Sequence, residues 1–202
     1  MTTGNIQAGD PAELGQDLFY GIGRRKNYRR AFPLLLEAAE NGHAHCMNVV
    51  GFCYERGFGV AKNVAEAIRW FEQAAEHDHD IALCNLAIAY GKGRCVPADP
   101  AKAFTLYLRA AQLGDIWAAC NLGVMYMDGE GTPQDLSEGI KWIRRAARRG
   151  DSIAQFNLGR AYLYGEGVKT NRSRAKMWLT RASEQGHKRA ARMLAEMQPS
   201  NG

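Results

Sequence analysis

The chain repeats in a fixed 36-residue register with no insertion or deletion. Tyr54, Tyr90, Tyr126 and Tyr162 are each 36 residues apart, as are Gly57, Gly93, Gly129 and Gly165, and the series Ala38, Ala74, Ala110, Ala146 and Ala182. A unit of that size holds two short helices and a turn, and it buries its apolar face only by stacking on a neighbour. The register therefore predicts an all-α solenoid of helix-turn-helix hairpins rather than two unrelated domains. Chains built this way usually bind other molecules.

The unit from Asp115 to Gly150 shows why. Asp115 follows Gly114 and can cap a helix whose apolar positions Ala118, Leu122 and Tyr126 recur at spacings of four. This is helix A. Gly129-Glu130-Gly131-Thr132-Pro133 breaks it, and Asp135 opens helix B, which carries Gly139, Trp142, Ile143, Ala146 and Ala147 on one side before Gly150. The periodic equivalents of Asp135 are Asn27, Asn63, Asp99 and Asn171, all short acceptors suited to the free amides of a first helical turn. Gly42, Gly114, Gly150 and Gly186 stand where helix B should stop, and Asp78 takes that place in the remaining unit.

The run Ala118, Asn121, Leu122, Gly123, Tyr126, Gly129, Gly131, Asp135, Trp142, Ala146, Ala147 and Gly150 resembles the Sel-one-like repeat (SLR), a branch of the tetratricopeptide-repeat (TPR) superfamily. The pattern recurs from Ala154 to Gly186 and from Gly51 to Ala75, with weaker copies at 79–114 and at about 7–42. The third unit departs most, with Ala87 at the helix A glycine and Cys95 at the second turn glycine. The resemblance implies a right-handed superhelical solenoid of about five units, 7–42, 43–78, 79–114, 115–150 and 151–186, with a capping helix at 187–196. Residues 1–6 and 197–202 are expected to be disordered. It also implies a non-catalytic adaptor or scaffold role with another protein in a concave groove.

On tetratricopeptide-like geometry, that groove receives the helix A positions opposite the Leu122 and Tyr126 stripe. The expected partner-binding residues are His45, Asn48, Phe52, Arg56, Ile88, Lys92, Trp117, Val124, Met127, Asp128, Phe156, Arg160 and Tyr164. Ile81 and Ile153 join them at the first turn. Aromatic and methionine side chains with few charges among them suit an anchoring patch. The alternative for Ile81, Ile88, Ile153, Trp117 and Phe156 is packing between adjacent A helices. Trp70, Trp142 and Trp178 are assigned to packing between helices, as are the register tyrosines.

Composition and charge bound the remaining readings. Hydrophobic residues make up 46% of the chain and charged residues 23%, enough apolar matter for a packed interior. Net charge is +5, distributed as −2 over residues 1–101 and +7 over 102–202. The arginines Arg144, Arg145, Arg148 and Arg149 lead that basic half, and their expected place is a solvated face; no nucleic-acid motif accompanies them. No apolar run approaches the length of a membrane span or of a secretory leader. The five cysteines, Cys46, Cys53, Cys84, Cys95 and Cys120, lack a paired pattern and are expected to be reduced in a cytoplasmic protein.

No cofactor, metal or catalytic site is expected. His43, His45, Cys46, His77 and His79 are metal-ligand types. However, His43, His79 and His187 share the register position filled elsewhere by Asp115 and Asp151, which makes them caps. No serine or cysteine has an activating histidine and an orienting acid at recognisable spacing. Within the resemblance two further roles remain: a bacterial immunity protein or chaperone neutralising a secreted toxin, and a β-lactamase-like or cell-wall-binding activity as in the cysteine-rich branch. The irregular cysteines argue against the second. A solenoid's terminal units leave faces through which copies can self-associate.

Overall fold

The structure, a computed structural model, describes residues 10–94 and 96–197. Cys95 and the segments 1–6 and 198–202 lie outside the described residues, whereas Met197 is the C-cap of the last helix. The described residues form eleven helices and no strand. In order they are α1 (Pro11–Tyr20), α2 (Tyr28–Glu40), α3 (Ala44–Arg56), α4 (Val64–Glu76), α5 (Asp80–Lys92), α6 (Pro100–Leu113), α7 (Ile116–Asp128), α8 (Leu136–Arg148), α9 (Ser152–Tyr164), α10 (Arg172–Glu184) and α11 (Lys188–Glu196). Odd-numbered helices are the A helices of the repeat and even-numbered ones the B helices.

Capping follows the register. Asn27, Asn63, Asp99, Asp135 and Asn171 each accept a hydrogen bond from the amide three residues on, at 3.1, 3.2, 2.9, 2.9 and 2.8 Å. Their own amides donate back to the carbonyls of Leu18, Tyr54, Tyr90, Tyr126 and Tyr162 at 2.8–2.9 Å, which ties each helix B to its helix A. The register tyrosine thus anchors the hairpin through its backbone as well as its ring. At the far end of helix B, Gly42, Gly114, Gly150 and Gly186 have positive φ, and Asp78 is the one non-glycine residue among those described that does so, at φ 56°.

Contacts divide the chain into two compact units, residues 1–89 with 93–97 and residues 90–92 with 98–202. In the first, α1, α2, α3 and α4 pack in sequence around Leu35, Cys46, Val49, Val50 and Cys53, all 0–2% exposed. In the second, α6 to α11 pack each against the next, around Leu122, Ile140, Ile143, Leu158 and Leu179. The register alanines Ala38, Ala74, Ala110, Ala146 and Ala182 are all buried, so adjacent helices approach at side chains no larger than a methyl.

The two helix types bury different amounts of themselves. A B helix such as α10 buries one stripe, Ala175, Trp178, Leu179 and Ala182, whereas α9 buries Ala154, Gln155, Phe156, Leu158, Gly159, Ala161 and Tyr162 around most of its girth. An A helix meets its own B helix on one side and the preceding hairpin on the other, so it is apolar nearly all round. The second turn glycine extends that contact. A Cβ on Gly59, Gly131 or Gly167 would strike the carbonyl of Tyr28, Pro100 or Leu136, the first residue of the preceding helix B. These glycines fit one hairpin onto the previous one.

Candidate protein-interaction surface

The A-helix residues expected to meet a partner divide by burial. In the first unit, His45, Phe52 and Ile88 are half-buried, Arg56 is exposed, and Asn48 is buried with its Oδ1 accepting from Asn85 Nδ2 at 3.0 Å. In the second, Lys92, Trp117, Asp128 and Tyr164 are exposed, Val124 and Arg160 are half-buried, and Met127 and Phe156 are buried. Phe156 stacks on His187 with ring centroids 4.5 Å apart and joins a cluster with Leu179, Ala182 and Ala190. A partner meeting this face would therefore touch the exposed and half-buried members.

What remains open to solvent has its own register. Ile81, Trp117 and Ile153 occupy the same first-turn position of three successive A helices and are 49, 39 and 47% exposed. Tyr164, at the end of α9, is 61% exposed. Trp117 sits edge-on to Tyr107 at 5.7 Å, which holds the indole while leaving much of it accessible. Large apolar side chains kept in water at a repeated position are the composition that interface cores favour.

The first unit adds a concavity. Phe52, Glu55 and Arg56 on α3, Val64, Ala67, Ile68 and Phe71 on α4, Asn85, Ile88 and Ala89 on α5, and Arg94 just after it line a cavity of about 110 Å³. The Arg56 guanidinium lies 5.4 Å from the Phe52 ring centre and 3.3 Å from Glu55 Oε2. Arg94 is exposed and makes no ion pair among the described residues. Phe52, Arg56 and Ile88 are among the residues expected on the partner-binding face, and Arg94 is not. The signal was present, because Glu130 and Glu166 occupy its register position in later units.

The remaining candidates are spoken for structurally. His79 Nδ1 accepts from Ala82 N at 3.3 Å and His187 Nδ1 from Ala190 N at 3.2 Å, the capping role expected of them; His43 makes no such bond. His79 Nε2 meets His45 Nδ1 at 3.4 Å, and His45 Nε2 meets the Tyr20 hydroxyl at 3.3 Å. Burial lowers the pKa of both imidazoles. Among the described residues no group of three His, Cys, Asp or Glu side chains is placed to hold a metal. Cys46, Cys53, Cys84 and Cys120 are buried and form no disulfide among the described residues, and burial pushes the Cys53 and Cys120 thiols up to about 12, far from a thiolate nucleophile.

The arginines of the basic half are partly committed as well. Arg145 and Arg181, one register apart, lie over Trp142 and Trp178 at 5.3 and 4.8 Å, and Arg149 donates to the Gly114 carbonyl at 3.1 Å. Trp178 is buried, and Trp70 and Trp142 are half-buried. No helix among the described residues is long and apolar enough to cross a membrane.

Comparison with known proteins agrees with this architecture. The Sel1 repeat model matches residues 12–43, 44–79, 80–115, 118–151 and 152–187. A protective antigen of uropathogenic Escherichia coli displaying an SLR fold is 29% identical, with a TM-score of 0.87 over 93% of this chain; the chain spans 40% of that protein's length. A Sel1 repeat protein from Oxalobacter formigenes is 30% identical, with a TM-score of 0.84 over 91% of this chain and 73% of its own. An immunity protein from Pseudomonas aeruginosa is 22% identical with a TM-score of 0.56 over 95% of this chain and 70% of its own, a likeness of fold alone. No curated protein matches. Five consecutive repeat matches, on hairpins capped and closed at the same register positions, make this chain a member of the Sel1-repeat family.

Proposed function

We propose that the protein is a non-catalytic, cytoplasmic scaffold that holds a segment or domain of another protein against its A-helix face. The observation that carries this reading is the exposure of Trp117, Ile153 and Tyr164 in the second unit, where α7 and α9 bury or half-bury every other large apolar side chain they carry. Burying an exposed indole and its neighbours against a partner is where interface free energy concentrates. The raised thiol pKa values of Cys53 and Cys120 suit wall residues rather than nucleophiles. Cysteines that form no disulfide among the described residues suit a reducing compartment.

Capture of partners from the native host, followed by mass spectrometry, tests the role. Several housekeeping or signalling partners support an adaptor; one toxin-like partner held very tightly identifies an immunity protein, a role carried by Pseudomonas proteins of this fold. Trp117→Ala is expected to weaken the captured complex at least tenfold while moving the melting temperature by no more than a few degrees. A large drop in melting temperature at unchanged affinity would place the indole in the core and remove the reading's main support.

A further inference from the structure

The cavity between α3, α4 and α5 has a register counterpart 72 residues on, between α7, α8 and α9, and there a side chain of the chain itself packs inward. Met127 stands in the place of Glu55 and is buried, its Cγ lying so close to Gly139 that a Cβ there would come within 2.6 Å. Arg160 stands in the place of Ile88, and its Nε pairs with Glu166 Oε2 at 3.1 Å. Glu166 is the counterpart of Arg94. The second unit thus supplies an apolar plug and a carboxylate from its own sequence.

The first unit has no such plug, and the carboxylate in its cavity wall, Glu55, is already paired with Arg56, while Ile88 offers Arg94 no charge. What is left is a cavity whose wall includes the apolar Phe52, Ile68 and Phe71 and the Arg94 guanidinium, which makes no ion pair among the described residues. We propose that this cavity is a docking site for a partner protein segment that inserts one branched aliphatic or methionine side chain and places an adjacent Asp or Glu carboxylate on Arg94. The occupant would replace what Met127 and Glu166 do in the second unit. Size fixes the side chain: about 110 Å³ is less than the ~150 Å³ that admits benzene, so a leucine or methionine fits and an indole does not. Charge fixes its neighbour, because a guanidinium forks onto a carboxylate with two parallel hydrogen bonds.

The site deepens the scaffold reading and rests on it. A random dodecapeptide phage library, panned on the full chain, is the probe. Wild-type protein is expected to enrich peptides that set Leu, Ile or Met beside Asp or Glu. For those peptides Arg94→Glu should weaken binding at least tenfold. Glu55→Met combined with Ala67→Gly, which installs the second unit's own plug together with the glycine it packs against, should weaken it similarly. The double variant Ile88→Arg/Arg94→Glu, which transplants the Arg160 and Glu166 ion pair, should bind none of them. Absence of enrichment, enriched sequences without the apolar and acidic pair, or affinity indifferent to all three variants overturns the proposal. If the host partner is lost on Trp117→Ala but kept by the three cavity variants, the scaffold reading stands and the cavity site falls. If it is kept by every variant, both fall.

Discussion

The hairpins α3–α4 and α7–α8 lie 72 residues apart in register and solve the same packing problem with different chemistry. In α7–α8 two glycines face each other: a Cβ on Gly123 would come within 2.8 Å of the Gly139 carbonyl, and one on Gly139 within 2.7 Å of the Gly123 carbonyl. In α3–α4 the pair is Gly51 and Ala67, and a Cβ on Gly51 would be 3.1 Å from the Ala67 carbonyl. The extra methyl of Ala67 goes with a looser hairpin, an unplugged cavity and the bulkier Phe71 in place of Ile143. A repeat can therefore keep its backbone register while one unit closes its interior and another leaves it open to a ligand.

The sharpest way to break this comparison is to make the tight hairpin resemble the loose one. Gly139→Ala should cost about 2 kcal/mol of stability, because its methyl collides with a backbone carbonyl that cannot yield and with Met127. Helix propensity alone argues the other way, favouring alanine over glycine by about 1 kcal/mol. Chemical denaturation decides between them: a variant more stable than wild type would mean that α7 and α8 are no closer than α3 and α4.

The features legible in the sequence were those whose partners lie a few residues away. All five helix B caps were readable, because an Asn or Asp side chain bonds an amide three positions on. So was the exchange of histidine for aspartate at the caps of α5 and α11. The division of the A-helix face was not. Those helices are apolar on nearly all sides, so period alone cannot separate Ile153, which is exposed, from Phe156, which is packed beneath α11. The second role of the turn glycines is not legible in the sequence either, because the carbonyls they face lie 31 residues earlier. Met127 fits only because a glycine stands opposite on another helix, a coincidence of two positions that single-residue reading does not join.

The hairpin ends give a smaller contrast. Helix α4 stops with Asp78 at positive φ, and α8 stops with Gly150 at φ 98°. A Cβ on Gly150 would meet nothing within 4 Å, so Gly150→Asp isolates the cost of the left-handed backbone from any clash. The expected loss is about 1 kcal/mol, read from the denaturation midpoint. No loss would show that a side chain is tolerated at this position in both units equally, and that glycine there reflects something other than backbone angle.

The last contrast lies at the start of the A helices, where α7 and α9 are capped by the carboxylates of Asp115 and Asp151 and α5 by an imidazole. Because His79 Nδ1 accepts the Ala82 amide, its proton sits on Nε2 and points at His45 Nδ1, which leaves the His45 proton on Nε2 against the Tyr20 hydroxyl. Protonating His79 removes the cap acceptor, and protonating His45 sets two N–H groups against each other. Burial accordingly lowers both pKa values in the folded state, with the neighbouring His45 also lowering that of His79 and Asp80 opposing it. The unfolded chain takes up protons first as pH falls, so this contribution is complete above about pH 6.5 and fades below it towards the depressed folded values. His79→Asp should keep the cap at pH 5 and recover up to about 1 kcal/mol relative to wild type at that pH, with little difference at pH 7.5. Parallel pH profiles for the two proteins would mean that the histidine pair is a bystander and that the caps of the two units respond alike to acid.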